Sequence, residues 1–303
     1  MYVITIISNK QKIELATCSK KLAEDLIQGD VLNSIIPIEK ITTERSSSVN
    51  FKITHIKSNR NKVIFLKNKL TIQTASYEEL TAFQIGFVIQ AIFEKLCQIN
   101  SAYGLHAACI SKNGNALLLM GDAYSGKSSM ALKLCRENNF EIVGDERCIL
   151  AYKNNGTFAL AGNKTLVLRK DFLQKTYPGL SFNGNKLGDT RLFLRPEKLK
   201  IKSNHSPVQV KAIFRINVGK FNRCNIIDAF DSTLFLFRAF SYQIRGINTP
   251  LISLDYVLQS LDNQQISSKR LKVAKNISEH IPMYEIHGSQ KYLVANILKI
   301  FGE

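Results

Sequence analysis

Residues 116–128 read ALLLMGDAYSGKS, an apolar run that breaks into a loop matching GxxxxGK[ST]. That spacing suits one chemistry, the cradling of a phosphate chain. Gly121 and Gly126 let the backbone curl until successive N–H groups point inward, Lys127 reaches the β- and γ-phosphates, and the Ser128 hydroxyl ligates Mg2+. Asp122, Ala123, Tyr124, Ser125 and Ser129 complete the expected contact set. Downstream, Met130, Ala131, Leu134 and Cys135 recur at helical spacing, so the loop opens a helix whose N-terminal dipole also favours an anion. A second group of chemical interest is the acidic pair Asp145-Glu146. Phosphoryl transfer needs a phosphate cradle, a carboxylate for the metal, and a carboxylate to orient or deprotonate the attacking hydroxyl. Two adjacent acids can divide those jobs, with Asp145 preferred as the base and Glu146 beside Ser128 on the metal; either acid qualifies as a metal ligand. Neighbours on an extended strand face opposite sides, so both serve only where the backbone turns, and Gly144 permits such a turn.

The elements that position these groups are legible on either side. Residues 105–111 (LHAACIS) read as a strand carrying His106, and residues 112–115 join it to the loop strand as a tight hairpin. The stretch FEIVGDERCIL after Asn138-Asn139 reads as a short strand with the acids at its end. Strand-like runs at Tyr2–Ile7, Phe51–Ile56, Val63–Leu66 and Leu70–Thr74, with a helical segment near Lys20–Ile27, form a small α/β unit, while 42–50 has loop composition. Ser76-x-x-Glu79 reads as a capping box for a long helix through Leu96 that packs two halves together. Beyond the acids, Asn154-Asn155-Gly156 turns a hairpin and 165–218 alternates short strands with turns. Helical patterns follow near 230–241, 250–261 and 266–279, then a strand at Met283–Ile286 and a helix over 289–302.

Strand, hairpin, GxxxxGKS, helix and an acidic pair after a short strand together resemble the catalytic domain of the HPr kinase/phosphorylase family, whose core is shared with phosphoenolpyruvate carboxykinases. The resemblance is strongest over 103–150 and extends with weaker motifs to about 287. It implies an α/β fold: a small N-terminal α/β subdomain over 1–100, then a P-loop kinase domain over 101–303 with a mixed sheet and flanking helices. It also implies that His106 matches the family histidine before the loop, and that Asp145 and Glu146 match its paired aspartates, giving Asp145, His106 and Lys127 as catalytic residues. The chain departs from the pattern at Ser129, where the family carries Glu, and at Glu146, where it carries Asp. It also has no counterpart of the C-terminal stretch used for phosphorolysis. The expected activity is ATP- and Mg2+-dependent transfer of a phosphoryl group to a hydroxyl, with a serine of a peptide or protein preferred over a small-molecule acceptor. A nucleotide-binding module without catalysis is a third reading, disfavoured by the acidic pair. A homo-oligomer follows by analogy alone.

With 303 residues, 45% hydrophobic and 21% charged, the chain is long enough for one or two ordinary cores. Its start, MYVITII, lacks a basic segment, and no apolar stretch approaches the roughly 20 residues of a membrane span, so a cytoplasmic protein without membrane partner is expected. The six cysteines are scattered without a CxxC pair and read as reduced thiols. Forty-one basic against 24 acidic residues leave a net charge of +17. The excess is densest at 198–223 and 269–275 and carries no nucleic-acid-binding signature, so it reads as a solvated face, one that would attract an anionic acceptor such as an acidic peptide or phosphorylated metabolite. Lys186, Arg191, Arg195, Arg245 and His287 are secondary candidates by position, Arg245 as a cation for the γ-phosphate.

Overall fold

The computed structural model describes residues 1–28, 31–76, 80–178, 185–187, 190–244 and 260–302. Its first 74 residues build a six-stranded mixed sheet from β1 (Tyr2–Ser8), β2 (Gln11–Thr17), β3 (Lys40–Thr42), β4 (Phe51–Lys57), β5 (Lys62–Leu66) and β6 (Lys69–Thr74), in the order β3-β1-β2-β4-β6-β5. Alternation puts Ile4, Ile6, Ile13, Leu15, Ile53, Leu70 and Ile72 on one buried face. Against that face lie α1 (Lys20–Gln28), α2 (Val31–Ile35) and the long α3 (Ala82–Ile99), whose Ile85, Val88, Ile89, Ile92 and Phe93 share the same cluster.

The start of α3 differs from the expectation. Its N-cap is Thr81, whose hydroxyl accepts from the Gln84 N–H while the Gln84 side chain accepts from the Thr81 N–H. The capping box therefore lies five residues after the expected one, immediately before the apolar period it serves. Glu79 lies outside the described residues. Over 18 residues α3 has a mean hydropathy of 1.2, long and apolar enough to cross a membrane by length and composition alone, which corrects the reading that no stretch approached a span. Of that stretch 61% is buried inside the protein, so core packing accounts for its apolar character.

The second sheet has nine strands: β7 (Ala102–Leu105), β8 (Ala108–Lys112), β9 (Asn115–Met120), β10 (Glu141–Gly144), β11 (Cys148–Lys153), β12 (Gly156–Gly162), β16 (Val208–Val218), β17 (Arg223–Ile227) and β18 (Met283–Gly288). Between them in sequence, β13 (Leu166–Arg169), β14 (Asn185–Leu187) and β15 (Arg191–Leu194) form a three-stranded sheet, and Pro196–Leu199 makes a 3-10 turn. The main path runs β10-β8-β9-β16-β12-β11-β7, with β18 beside β16 and β17 beside β18. β7 and β8 are separated by two residues yet lie near opposite ends of that path, so the sheet folds back on itself. Asn113 and Gly114, at φ of 51° and 76°, close the β8–β9 hairpin with Lys112 opposite Asn115, as the turn composition required. One layer of helices, α4 (Lys127–Glu137), α5 (Lys170–Thr176) and α8 (Gln290–Phe301), covers one face; α6 (Ala229–Ile244) and α7 (Gln264–His280) cover the other. The helical pattern at 250–261 lies almost wholly outside the described residues; residues 260 and 261 are not helical.

Candidate functional site

β9 is buried on both faces through Leu117, Leu118 and Leu119, and β8 and β16 hold it on either side. Its C-terminal end releases the chain into residues 121–126, and α4 begins at Lys127. Gly126 is the N-cap of that helix at φ 95°, and a Cβ there would stand 2.5 Å from Val218 Cγ2, so only glycine fits both the turn and the strand beside it. Met130, Ala131, Leu134 and Cys135 are all buried, which fixes α4 against the sheet and aims its first N–H groups at the loop. The loop is tied to the neighbouring strand by the Val218 N–H, which donates to the Ser125 carbonyl at 3.0 Å.

Inside the loop, the Lys127 ammonium donates to the Gly121 and Asp122 carbonyls, both at 3.0 Å. Burial lowers its pKa, against the opposing charges of Glu146, Asp145 and Asp122. The Ser129 hydroxyl donates to the Gly126 carbonyl at 2.9 Å. The Ser125 hydroxyl is buried without a hydrogen-bond partner. An orphaned hydroxyl in a loop that ends at a helix N-terminus, beside a buried ammonium, fits an anionic oxygen. Asp122, Ala123 and Tyr124 are exposed, Tyr124 at φ 67°.

The acids sit on a bend between β10 and β11. The Asp145 N–H donates to the Asn163 carbonyl at 2.8 Å, the Arg147 N–H to the Asn163 side-chain oxygen at 2.7 Å, and Glu146 takes a φ of 60°. This turn sends the two carboxylates into different environments. Asp145 is fully buried and accepts from the Ser128 hydroxyl at 3.0 Å through Oδ1. Burial, with the Glu146 charge behind it, raises its pKa to about 7, against the hydrogen bonds it accepts from Ser128, Val167 and Glu146. Glu146 is less buried, its side chain 32% exposed, with Oε2 3.4 Å from His106 Nδ1.

His106 is not within a strand. It occupies the two-residue break between β7 and β8, which splits the expected strand over 105–111. The β7–β8 and β10–β11 chains run antiparallel to each other across their breaks, with Leu105 opposite Cys148 and Cys109 opposite Gly144. His106 and Glu146 thus project from two facing bends. Burial lowers the His106 pKa and Lys127 lowers it further, against the pull of Glu146.

On the far side of the loop, a cavity of about 180 Å³ is lined by residues 121–125 with Arg215, Ile216, Asn217 and His287. Arg215 and Asn217 alternate on one face of β16, and Glu285 pairs with Arg215 at 3.0 Å and stands 3.6 Å from His287 Nε2. Among the described secondary candidates, His287 alone lines this cavity. Arg195 lines a separate cavity of about 660 Å³ between residues 33–39 and 160–165. Arg191 is exposed on β15, Lys186 lies on β14, and Arg245 lies outside the described residues. Sequence reasoning missed Asn163, which follows β12, and Arg215 and Asn217 on β16, which approach the acids and the loop from distant parts of the chain without a local motif.

Among the described residues no three His, Cys, Asp or Glu side chains converge as a metal cage. Mg2+ does not need one, since it binds through one or two carboxylates together with substrate phosphates. Ser128 and Asp145 together make a donor pair of that kind. All six cysteines are free thiols, four of them buried. Arg270, within the supposed solvated basic stretch, is fully buried and paired with Asp262. The lysines of those two stretches are all exposed.

No protein-family model and no curated protein sequence matches this chain. Among solved structures, it is similar to the Hpr(Ser) kinase/phosphatase from Coxiella burnetii, at 13% identity and a TM-score of 0.31, over 66% of this chain and 99% of that one. At that TM-score the likeness is distant and carries no residue correspondence, so the site stands on its own geometry.

Proposed function

We propose that this chain is an ATP- and Mg2+-dependent kinase that transfers the γ-phosphate to a hydroxyl, with a serine of a peptide or protein as preferred acceptor. The observation that carries the reading is the hydrogen bond from the Ser128 hydroxyl to Asp145, which joins the last residue of a GxxxxGKS loop to a buried carboxylate on the bend that follows β10. A loop serine beside a strand-end aspartate is the donor pair that holds the metal in phosphoryl-transfer sites of this type. Mg2+, when bound, supplies charge neutralisation across the β- and γ-phosphates.

The geometry favours a division of labour opposite to the one read from sequence. Asp145, buried against Ser128, serves the metal; its carboxyl, with a pKa near 7, would ionise on accepting a cation and release a proton. Glu146, partly exposed and paired with His106, serves the acceptor: its carboxylate takes the hydroxyl proton as the oxygen attacks phosphorus, and His106 holds the carboxylate in place. Lys127 leaves its two loop carbonyls to meet phosphate oxygens, and the Ser125 hydroxyl gains the partner it lacks. The acids stand over β8 and β10, whereas the Arg215–His287 cavity stands over β16 and β18. A triphosphate lying across the loop with its γ end at the acids therefore directs its nucleoside toward that cavity. The exposed faces of Glu146, His106 and Tyr124 leave room for a bulky acceptor, and the basic surface draws an acidic one.

The test is transfer of label from γ-labelled ATP to a panel of serine peptides, proteins and small hydroxyl compounds. Asp145→Asn should raise the Mg2+ requirement about tenfold or more, and Glu146→Gln should lower kcat about a hundredfold or more with nucleotide affinity kept. Transfer only to small compounds would replace the acceptor class. Nucleotide binding without any turnover would leave a binding module.

A further inference from the structure

His106 and Glu146 sit in breaks between paired strands: ladders hold Leu105 against Cys148 on one side and Cys109 against Gly144 on the other, and no ladder pair falls at the two bends themselves. A buried carboxylate on α3 touches both chains. Glu94 is fully buried and accepts the Gly104 N–H through both oxygens, at 2.9 and 3.1 Å. Gly104 precedes His106 by two residues. The same carboxylate forms an ion pair with the guanidinium of Arg147, the residue after Glu146. Its remaining contact is with Gln98, whose amide donates at 2.6 Å and also reaches the Phe240 carbonyl. A Cβ at Gly104 would fall 2.1 Å from Glu94 Oε2, so the strand has no room for a side chain where the carboxylate approaches.

Stability alone is a poor reason for this arrangement. Arg147 is 2% exposed, and its Nε and Nη1 have no hydrogen-bond partner. Burying a half-satisfied guanidinium costs free energy that a well-packed apolar pair would not, and in some proteins a buried pair of this kind serves to specify a geometry. We infer that Glu94 is a positioning residue: from α3, outside the sheet that carries the site, it pins the His106 chain through Gly104 and the Glu146 chain through Arg147, and so sets the separation of the two groups that handle the acceptor hydroxyl. The functional half of this inference rests on the kinase reading; the structural half does not.

The test uses the double variant Glu94→Gln/Arg147→Met, which removes both buried charges together and keeps an acceptor for the Gly104 N–H. Arg147→Met alone, which leaves Glu94 on Gly104 and Gln98, is the second variant and is read the same way. Two readouts apply to folded, full-length protein: the 15N shift of His106 Nδ1 without nucleotide, assigned with His106→Asn, and steady-state kinetics with the best acceptor. The inference expects the His106 signal to move toward that of a free imidazole, and kcat to fall about tenfold or more while the KM for nucleotide stays within about twofold. A folded variant with the wild-type His106 signal and wild-type kcat overturns it, whatever its melting temperature. If the wild-type protein transfers no phosphate at all, the kinase reading fails by itself and the His106 signal still decides the positioning claim.

Discussion

At the residue scale, the site separates two like groups by environment. Lys127 is the loop's one side-chain cation, and in the ligand-free protein it is satisfied by two carbonyls. Lys127→Ala should therefore leave the fold intact while weakening Mg·ATP binding about tenfold to a hundredfold, read by calorimetry. Asp145 carries a cost in the apo state. Its pKa, raised by burial from the ordinary carboxylate value of 3.8 to about 7, means the folded chain keeps a proton that the unfolded chain has released. Stability from this group is whole below pH about 4 and is lost as pH rises toward 7, where it levels off. Asp145→Asn should then raise the melting temperature at pH 8 in chelator, by the equivalent of a few kcal/mol at most, with the gain vanishing near pH 4, while phosphoryl transfer falls. A variant no more stable at pH 8 than the wild type would show that the carboxylate is better solvated than its burial implies. The loop and its lysine were legible in the sequence because their spacing is local. The different environments of the acids were not, since they depend on the left-handed turn at Glu146 and on Asn163, 16 residues or more from the groups it holds.

At the element scale, α4 and the β8–β9 hairpin follow from sequence alone: the apolar spacing after the loop and the Asn113-Gly114 pair each carry a complete local signal. Other elements do not. β2 escaped notice because its turn from β1 is Asn9-Lys10, both at positive φ without a glycine to mark it. The His106 break escaped notice because its cause is the fold-back of the sheet, a tertiary demand that overrides a continuous β pattern. α3 shows how a cap is chosen: two Ser/Thr-x-x-Glu/Gln matches lie close together, and the one abutting the apolar period was adopted. Thr81→Ala should cost about 1 kcal/mol in denaturant unfolding. An unchanged midpoint would mean that packing of the helix, rather than its cap, sets where it begins.

At the scale of the whole molecule, the two large sheets meet through α3, which buries one side in the N-terminal sheet and brings Glu94 to Gly104 and to Arg147, the residue after the acids. The N-terminal sheet has its own pH sensitivity. His55 is buried between the hydroxyls of Thr17 and Thr74, at 2.8 and 2.9 Å, joining β2, β4 and β6, and burial lowers its pKa. The unfolded chain therefore takes up a proton first as pH falls. Stability from neutral His55 is present above the ordinary imidazole value of 6.5 and is lost as pH drops toward the folded pKa. Unfolding free energy should fall with a slope of up to about 1.4 kcal/mol per pH unit in that window, and His55→Gln should flatten it. A slope unaffected by the substitution would place the acid sensitivity elsewhere.

The central claim is that the GxxxxGKS loop and the facing acids form one phosphoryl-transfer centre. Its most direct test measures, in the same preparations, the Mg·ATP dissociation constant and the rate of label transfer from γ-labelled ATP to serine acceptors, for the wild-type protein and for Glu146→Gln. The account predicts labelled phosphoserine with the wild type, and a variant that binds nucleotide equally but transfers about a hundredfold more slowly. Equal transfer by the two proteins, or wild-type protein that binds no nucleotide, would contradict it.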